Sequence, residues 1–241
     1  MPVGTQARTG LICAGVLALM MLRSTKRRML YIGLLCAGAL VAIPLLPESF
    51  TQRMSTIQNH QADQSASTRV AVWQWTIEFA KTHPFGGGFD AFRQNSVSYD
   101  TVKADMAGDN NAAIQTEHIV EKGRAYHSAY FEMLGEQGYP GLALWLLLHL
   151  MGVAHMEVLR WRFGKNPPPG MEWVAPLADA LQQAQVVYLV GSTFVGIAFQ
   201  PFCYMLVGLQ CGLTAYIGRI RRAAPVPFRK PRTVQPAIAP A

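Results

Sequence analysis

The chain has 241 residues, 51% of them hydrophobic and only 15% charged, with a formal net charge of +7 at pH 7. The apolar residues are gathered in long runs instead of an amphipathic pattern, which argues against an ordinary soluble globule. The basic excess falls in blocks beside those runs and is not interleaved with aromatics on one surface, so nucleic acid is not the partner it indicates.

The first apolar run covers 9–22 and approaches spanning length only when extended back through Arg8 to residue 7. Arg23, Lys26, Arg27 and Arg28 follow it where a secretory signal would carry small residues for cleavage, so a retained helix is expected. A second run covers 29–46. After a long stretch, 48–138, come runs at 141–158, 174–199 and 202–217, to be compared with the ~20 apolar residues that cross a bilayer core. Isolated strands cannot satisfy their backbone groups in lipid. The chain therefore reads as an all-α integral membrane protein of about five transmembrane helices, with one long exterior segment, 48–138, containing short helices.

Arg160, Arg162 and Lys165 follow the third run, and Arg219, Arg221, Arg222, Arg229, Lys230 and Arg232 follow the last. Every second connection is basic, which by the positive-inside rule places 159–173 and the tail 219–241 in the cytoplasm and 48–138 outside. Pro225, Pro227, Pro231, Pro236 and Pro240 mark the tail as disordered. Cys13, Cys36, Cys203 and Cys211 all fall in spans, where they read as small apolar packing residues.

Within the exterior segment, Ser67 or Thr68 reads as the N-cap of a helix running to Lys81, with Val70, Trp73, Ile77 and Ala80 at helical spacing. His83-Pro84 stops it and Gly86-Gly87-Gly88 gives a sharp turn. Residues 105–111 read as a polar excursion. A second short helix is expected to begin near Ser128 and end at Gly138, leaving Pro140 in the first turn of the next span.

Three side chains carry candidate chemistry. His127 lies near the start of the second short helix, where the positive end of the helix dipole disfavours imidazolium and a neutral ring can accept a proton. The same position also suits an interfacial histidine bonded to a backbone carbonyl. Arg69 falls in the first turn of its helix, against the dipole, which an anion bound between the guanidinium and the free N–H groups would reverse. An arginine held by Asp63 is the alternative. Arg8 stands at the outer end of the first span, either facing a cavity or snorkelling to the interface. Two exterior arginines and a histidine suit an anionic, phosphorylated substrate and a hydroxyl to be deprotonated.

Other signals are weaker. Gly86-Gly87-Gly88 lacks the Lys-Ser/Thr of a phosphate loop. His149 and His155 are wrongly spaced for one helix face and have no Cys or carboxylate to complete a metal site. No serine nucleophile elbow is present. The five tryptophans read as packing and interface anchors.

His127-Ser128, nine residues, then Gly138-Tyr139-Pro140-Gly141 before an apolar run resembles the signature of the O-antigen ligase superfamily of bacterial inner-membrane proteins. Arg69 with Trp73, the stretch Thr82-His83-Pro84-Phe85-Gly86-Gly87-Gly88-Phe89, the stretch 126–136, and Gly191-Ser192-Thr193-Phe194 through Tyr204 are similar to the exosortase-A-associated O-glycosylation ligase branch. The resemblance extends from Arg8 to Tyr204.

That resemblance implies a metal-independent, inverting glycosyltransferase without a cofactor, which passes a glycan from undecaprenyl diphosphate to an acceptor hydroxyl on the periplasmic face. The acceptor would be a lipid, a protein or a glycan. His127 matches the family's general base. Arg69 and Arg8 match its diphosphate-binding arginines, although Ala7-Arg8-Thr9-Gly10 replaces the family's Ser-Arg-Gly; Arg124 and Lys122 are candidate assistants with a poorer motif match. Members usually carry more spans, so the chain is expected to be a C-terminal or truncated part, inactive alone because half of the lipid groove is missing. A polysaccharide polymerase of the same superfamily is one alternative. A transporter or non-catalytic scaffold is another; transport calls for paired ionisable residues near the midplane, where His149 is the candidate.

Overall fold

The computed structural model describes residues 8–25, 28–42, 64–104 and 114–223. Six helices and one β-hairpin make up its regular structure. Helix α1 is Arg8–Ser24, α2 is Arg28–Ala42, α3 is Gln64–Thr82, α4 is Ala129–Gly164, α5 is Val174–Gly191 and α6 is Pro201–Ala223. Strands β1 (Ser96–Ala104) and β2 (Ile114–Lys122) lie between α3 and α4, after a short 3-10 turn at Ala91–Gln94.

Helices α4, α5 and α6 form a bundle, with α1 packed along α5. At one end of the bundle, Met156, Leu159 and Phe163 of α4 meet Val174, Ala178 and Leu181 of α5 and Leu206, Leu213 and Ile217 of α6. At the other end, Ala129, Met133 and Trp145 pack with Tyr188, Ala198 and Cys203. Among the described residues, α4 and α6 are long and apolar enough to cross a membrane, and α1 contains a shorter apolar stretch. Outward faces such as Leu144, Leu147, Met151, Met205 and Leu209 are exposed, as they must be where the solvent is hydrocarbon.

The two ends differ in chemistry. At the α1 C-terminus, Arg23 lies 2.9 Å from Asp179 and 3.3 Å from Glu157, and donates to Gln182 at 2.6 Å. At the opposite end, Cys13 packs against Gly191, and Gly191 is followed by Ser192, whose carbonyl accepts the Ala129 N–H at 2.8 Å. The N-terminus of α1, and with it Arg8, therefore belongs to the end where α4 begins.

Several sequence expectations are revised. The segment between the second and third apolar runs contains a hairpin as well as helical structure: β1 and β2 pair antiparallel from Ser96 opposite Lys122 to Ala104 opposite Ile114. Val97 and Tyr99 are buried while Ser96 and Ser98 are exposed, the period-two pattern of a strand with one covered face. The polar excursion read at 105–111 lies outside the described residues. The fourth apolar run does not stay helical to 199; α5 ends at Gly191, and 192–200 turns back over the start of α4. Helix α3 starts at Gln64, ahead of the expected cap, because Gln64, Ser65 and Ala66 contain nothing that breaks a helix.

Helix α4 is two helices in sequence. Gly138 has φ 67° and ψ −166° in its middle, a conformation that a side chain would strain. The short part, 129–137, follows Ser128 as N-cap; the longer part begins at Tyr139 with Pro140 in its first turn, where the missing N–H costs nothing.

Candidate functional site

The site is built around the junction between helix α3 and the start of α4. Residues Val72 of α3, Val97 of β1 and Tyr126 form a small buried cluster, with Trp75, Phe92 and Phe131 packed on it. This cluster fixes one face of α3 against residues 124–131. Trp73 stands beside it: its indole N–H donates to the Tyr126 carbonyl at 2.8 Å, and its ring stacks on Phe131 with centroids 4.9 Å apart. Arg69 precedes Trp73 by four residues, so both lie on one helix face.

The hairpin approaches the junction from the other side. Buried Asn95 accepts the Arg124 N–H at 2.9 Å and donates to the Arg124 carbonyl at 2.7 Å, while the Asn95 carbonyl takes the Gly123 N–H. The backbone leading to His127 is thus held at 123–124 by Asn95 and at 126 by Trp73. His127 itself has φ 51°, the left-handed region that is uncommon for a residue with a side chain. Ser128 after it is buried, and its hydroxyl has no partner among the described residues.

The His127 side chain is exposed. Partial burial lowers its pKa from the ordinary imidazole value, and the neighbouring positive charges of Arg69 and then Arg124 lower it further. The sequence attributed a neutral imidazole to the helix dipole, whereas burial and two guanidinium groups account for it in the structure. Both arginines are close enough for their charge to be felt, which brings His127, Arg69 and Arg124 together out of the five candidate residues.

Arg69 differs from its expected setting. It lies in the second turn of α3 and not the first, so the free N–H groups of the helix start are not its neighbours. Its Nε is buried without a hydrogen-bond partner among the described residues, and Asp63, the alternative partner, lies outside them. Arg124 instead spends its Nε on Glu121 at 2.6 Å. Arg8 is the first residue of α1, at the same end of the bundle as Ser128; its side chain lies outside the described set.

The short helix after His127 is clamped at both ends. At its start, Ala129 donates to Ser192. At its end, where carbonyls lack partners, the glycine-rich turn supplies donors: Gly87 N–H to Gly135 at 2.9 Å and Gly88 N–H to Glu136 at 3.0 Å. In return Tyr139 N–H donates to the Pro84 carbonyl at 2.9 Å. Any Cβ on Gly86 would meet the Glu136 backbone, and any on Gly138 would meet the Pro84 carbonyl. The triple glycine is therefore a cap for this helix as well as a turn.

Two carboxyl groups on the short helix are functional candidates that no motif argument singled out. Glu132 accepts the Ala198 N–H at 2.8 Å, and burial raises its pKa. Glu136 accepts the Asp90 N–H at 3.1 Å; burial raises its pKa to about 7, with the charges of Glu132 and Asp90 adding to the rise. The buried Tyr126 phenol lies against Gly135, its pKa raised by burial and then by Glu136. The sequence signal was present as two carboxylates four residues apart on a helix about to enter lipid. No group of His, Cys, Asp and Glu among the described residues could hold a metal ion.

Comparison with known protein families places most of the chain's length in one of them. The family model described as O-Antigen ligase covers residues 1–146, a stretch that contains α3, the hairpin, His127, and α4 as far as Leu146. No curated protein and no solved structure matches the chain.

Proposed function

Because the chain belongs to the O-antigen ligase family, a family of membrane glycosyl-transfer enzymes, we propose that it is a glycan ligase whose general base is His127. Five spans and a periplasmic site in a bacterial inner membrane complete this reading, with the closest likeness to the exosortase-A-associated O-glycosylation branch. The donor is a glycan on undecaprenyl diphosphate and the acceptor a hydroxyl group. In one inverting displacement the acceptor oxygen bonds to the anomeric carbon, the bond from that carbon to the diphosphate oxygen breaks, and the hydroxyl proton passes to the His127 imidazole. Arg69 and Arg8 hold the diphosphate and take up the charge that grows on it, with Arg124 at the edge; no metal or cofactor takes part.

The observation that carries the reading is the pairing of His127 with Arg69. An imidazole whose pKa is lowered by burial and by a nearby guanidinium suits a base that works beside an anionic leaving group. The buried Nε of Arg69, which has no hydrogen-bond partner among the described residues, adds a donor to the site. The transport alternative gains less support, because His149 is buried against Gln185, with its Nδ1 2.5 Å from the amide nitrogen, and has no ionisable partner among the described residues.

His127→Ala in the native gene tests the proposal. Glycan attachment to the acceptor should fall by about 10² to 10⁴, while the level of membrane-inserted protein is unchanged. Unchanged attachment with loss of a solute flux would overturn the enzymatic reading. Polymerisation in place of ligation would show as shortened glycan chains in the same variant.

A further inference from the structure

The turn that caps the short helix carries two aromatic side chains that its own packing does not use. Phe85 is 80% exposed and Phe89 is 74% exposed. The backbone that carries them is bonded to α4 through Gly87, Gly88 and Asp90.

The same turn is attached to the entrances of two spans. Pro84, next to Phe85, accepts the N–H of Tyr139, the residue at which the long apolar part of α4 begins. The Phe89 ring meets Phe199 edge-on with centroids 5.1 Å apart, and Phe199 precedes the start of α6 by two residues. Both rings are therefore held at the level where α4 and α6 enter hydrocarbon. In the last turns of α3, ahead of the turn in sequence, Glu78 and Lys81 are exposed and paired with each other, as suits a surface that faces water.

We propose that Phe85 and Phe89 insert into the interfacial layer of the phospholipid bilayer on the side that bears His127, so that this turn sets the height of the site above the hydrocarbon. Aromatic rings are favoured at that level, where apolar surface meets lipid ester and headgroup. Apolar side chains on a surface segment bind a membrane by burying area there. The turn caps the helix that follows His127, so the depth of the rings and the depth of the imidazole are one quantity.

The test uses the full chain in phospholipid nanodiscs, with the native cysteines replaced by Ala and a nitroxide label placed by Phe85→Cys, Phe89→Cys or Glu78→Cys. The labels at 85 and 89 should collide with oxygen relative to a water-soluble nickel chelate several-fold more often than the label at 78. Equal ratios at the three positions would place the turn in water and overturn the proposal. Low collision with both reagents at 85 and 89 would mean that protein covers the rings, and would overturn it equally. If the cysteine-free chain does not fold, p-benzoylphenylalanine at position 85 or 89 in the native background decides: irradiation should give lipid adducts by mass spectrometry. Protein crosslinks alone, or no adduct beside a reactive lipid-facing control at Leu147, would refute the insertion.

Discussion

Trp73 donates its indole N–H to the carbonyl of Tyr126 at 2.8 Å, so that a residue of α3 holds the peptide immediately before His127. The contact fixes the approach to a left-handed residue, whose backbone would relax to an ordinary region if released. Trp73→Phe keeps a ring for Phe131 and removes only the donor. The expected result is a kcat about tenfold lower, equivalent to roughly 1.4 kcal/mol of positioning, with KM for the donor little changed. A fall in KM affinity with normal kcat would assign Trp73 to substrate binding instead.

The pH profile of glycan transfer should have its acid limb below the ordinary imidazole pKa, because burial, Arg69 and Arg124 all lower that of His127. The sign follows from the charge: a base must be neutral, and anything that disfavours imidazolium extends activity to lower pH. Arg69→Gln removes one of those positive charges. Its acid limb should move upward, and the KM for the lipid-linked donor should rise with it. A profile identical to that of the unaltered protein would separate Arg69 from His127.

Glu136 gives a stability test with the opposite sign. Its pKa is raised to about 7 by burial, whereas an unfolded glutamate titrates near the usual carboxylate value of about 4.3. The fold thus holds a proton that the unfolded chain has lost. Its contribution is complete below the unfolded pKa and is lost as pH rises through about 7. Glu136→Gln keeps an acceptor for Asp90 and cannot ionise. It should raise stability in detergent at pH 8 by roughly 2 kcal/mol after allowance for solvent screening, and change little at pH 4. Equal melting of both proteins at pH 8 would refute burial of the charge.

The glycines of the turn should differ in tolerance. Gly86 and Gly88 both have φ near +80°, but a Cβ on Gly86 meets the Glu136 backbone whereas one on Gly88 meets open space. Gly88→Ala should cost about 1 kcal/mol from backbone strain alone. Gly86→Ala adds a collision with main chain and should reduce the yield of folded protein severely, by about 3 kcal/mol or more. Thermal unfolding of the two variants in one detergent decides it; equal losses would mean that the turn is not seated on the helix.

The sequence made the long-period features readable and left the close contacts hidden. Apolar run length gave α4 and α6 because lipid admits little else, and Gly138-Tyr139-Pro140 gave the break because a glycine and a proline there allow few backbone choices. The hairpin escaped because Val97 and Tyr99 alternate over too few residues to stand out beside a polar stretch. Helix α5 was drawn too long because composition alone does not show where 192–200 folds back. Arg69 was singled out for a place in the first turn of its helix, whereas it lies in the second. Glu132 and Glu136 were not chosen, since their pKa values are raised by burial, and that burial comes from packing with segments near Ala198 and Asp90, 66 and 46 residues away in sequence.

The bonds from the Ala129 N–H to Ser192 and from the Ala198 N–H to Glu132 also impose an order on biosynthesis. Both acceptors and donors beyond α5 leave the ribosome some sixty residues after the histidine does. The helix behind His127 consequently lacks these two bonds, and rests on the α3 cluster through Phe131, until α5 is complete and 192–198 has turned back. A nascent chain arrested before residue 192 would present the histidine and both nearby arginines, yet without these two bonds. The last hydrogen bonds that seat this helix are therefore made late in synthesis, by a segment that follows α5.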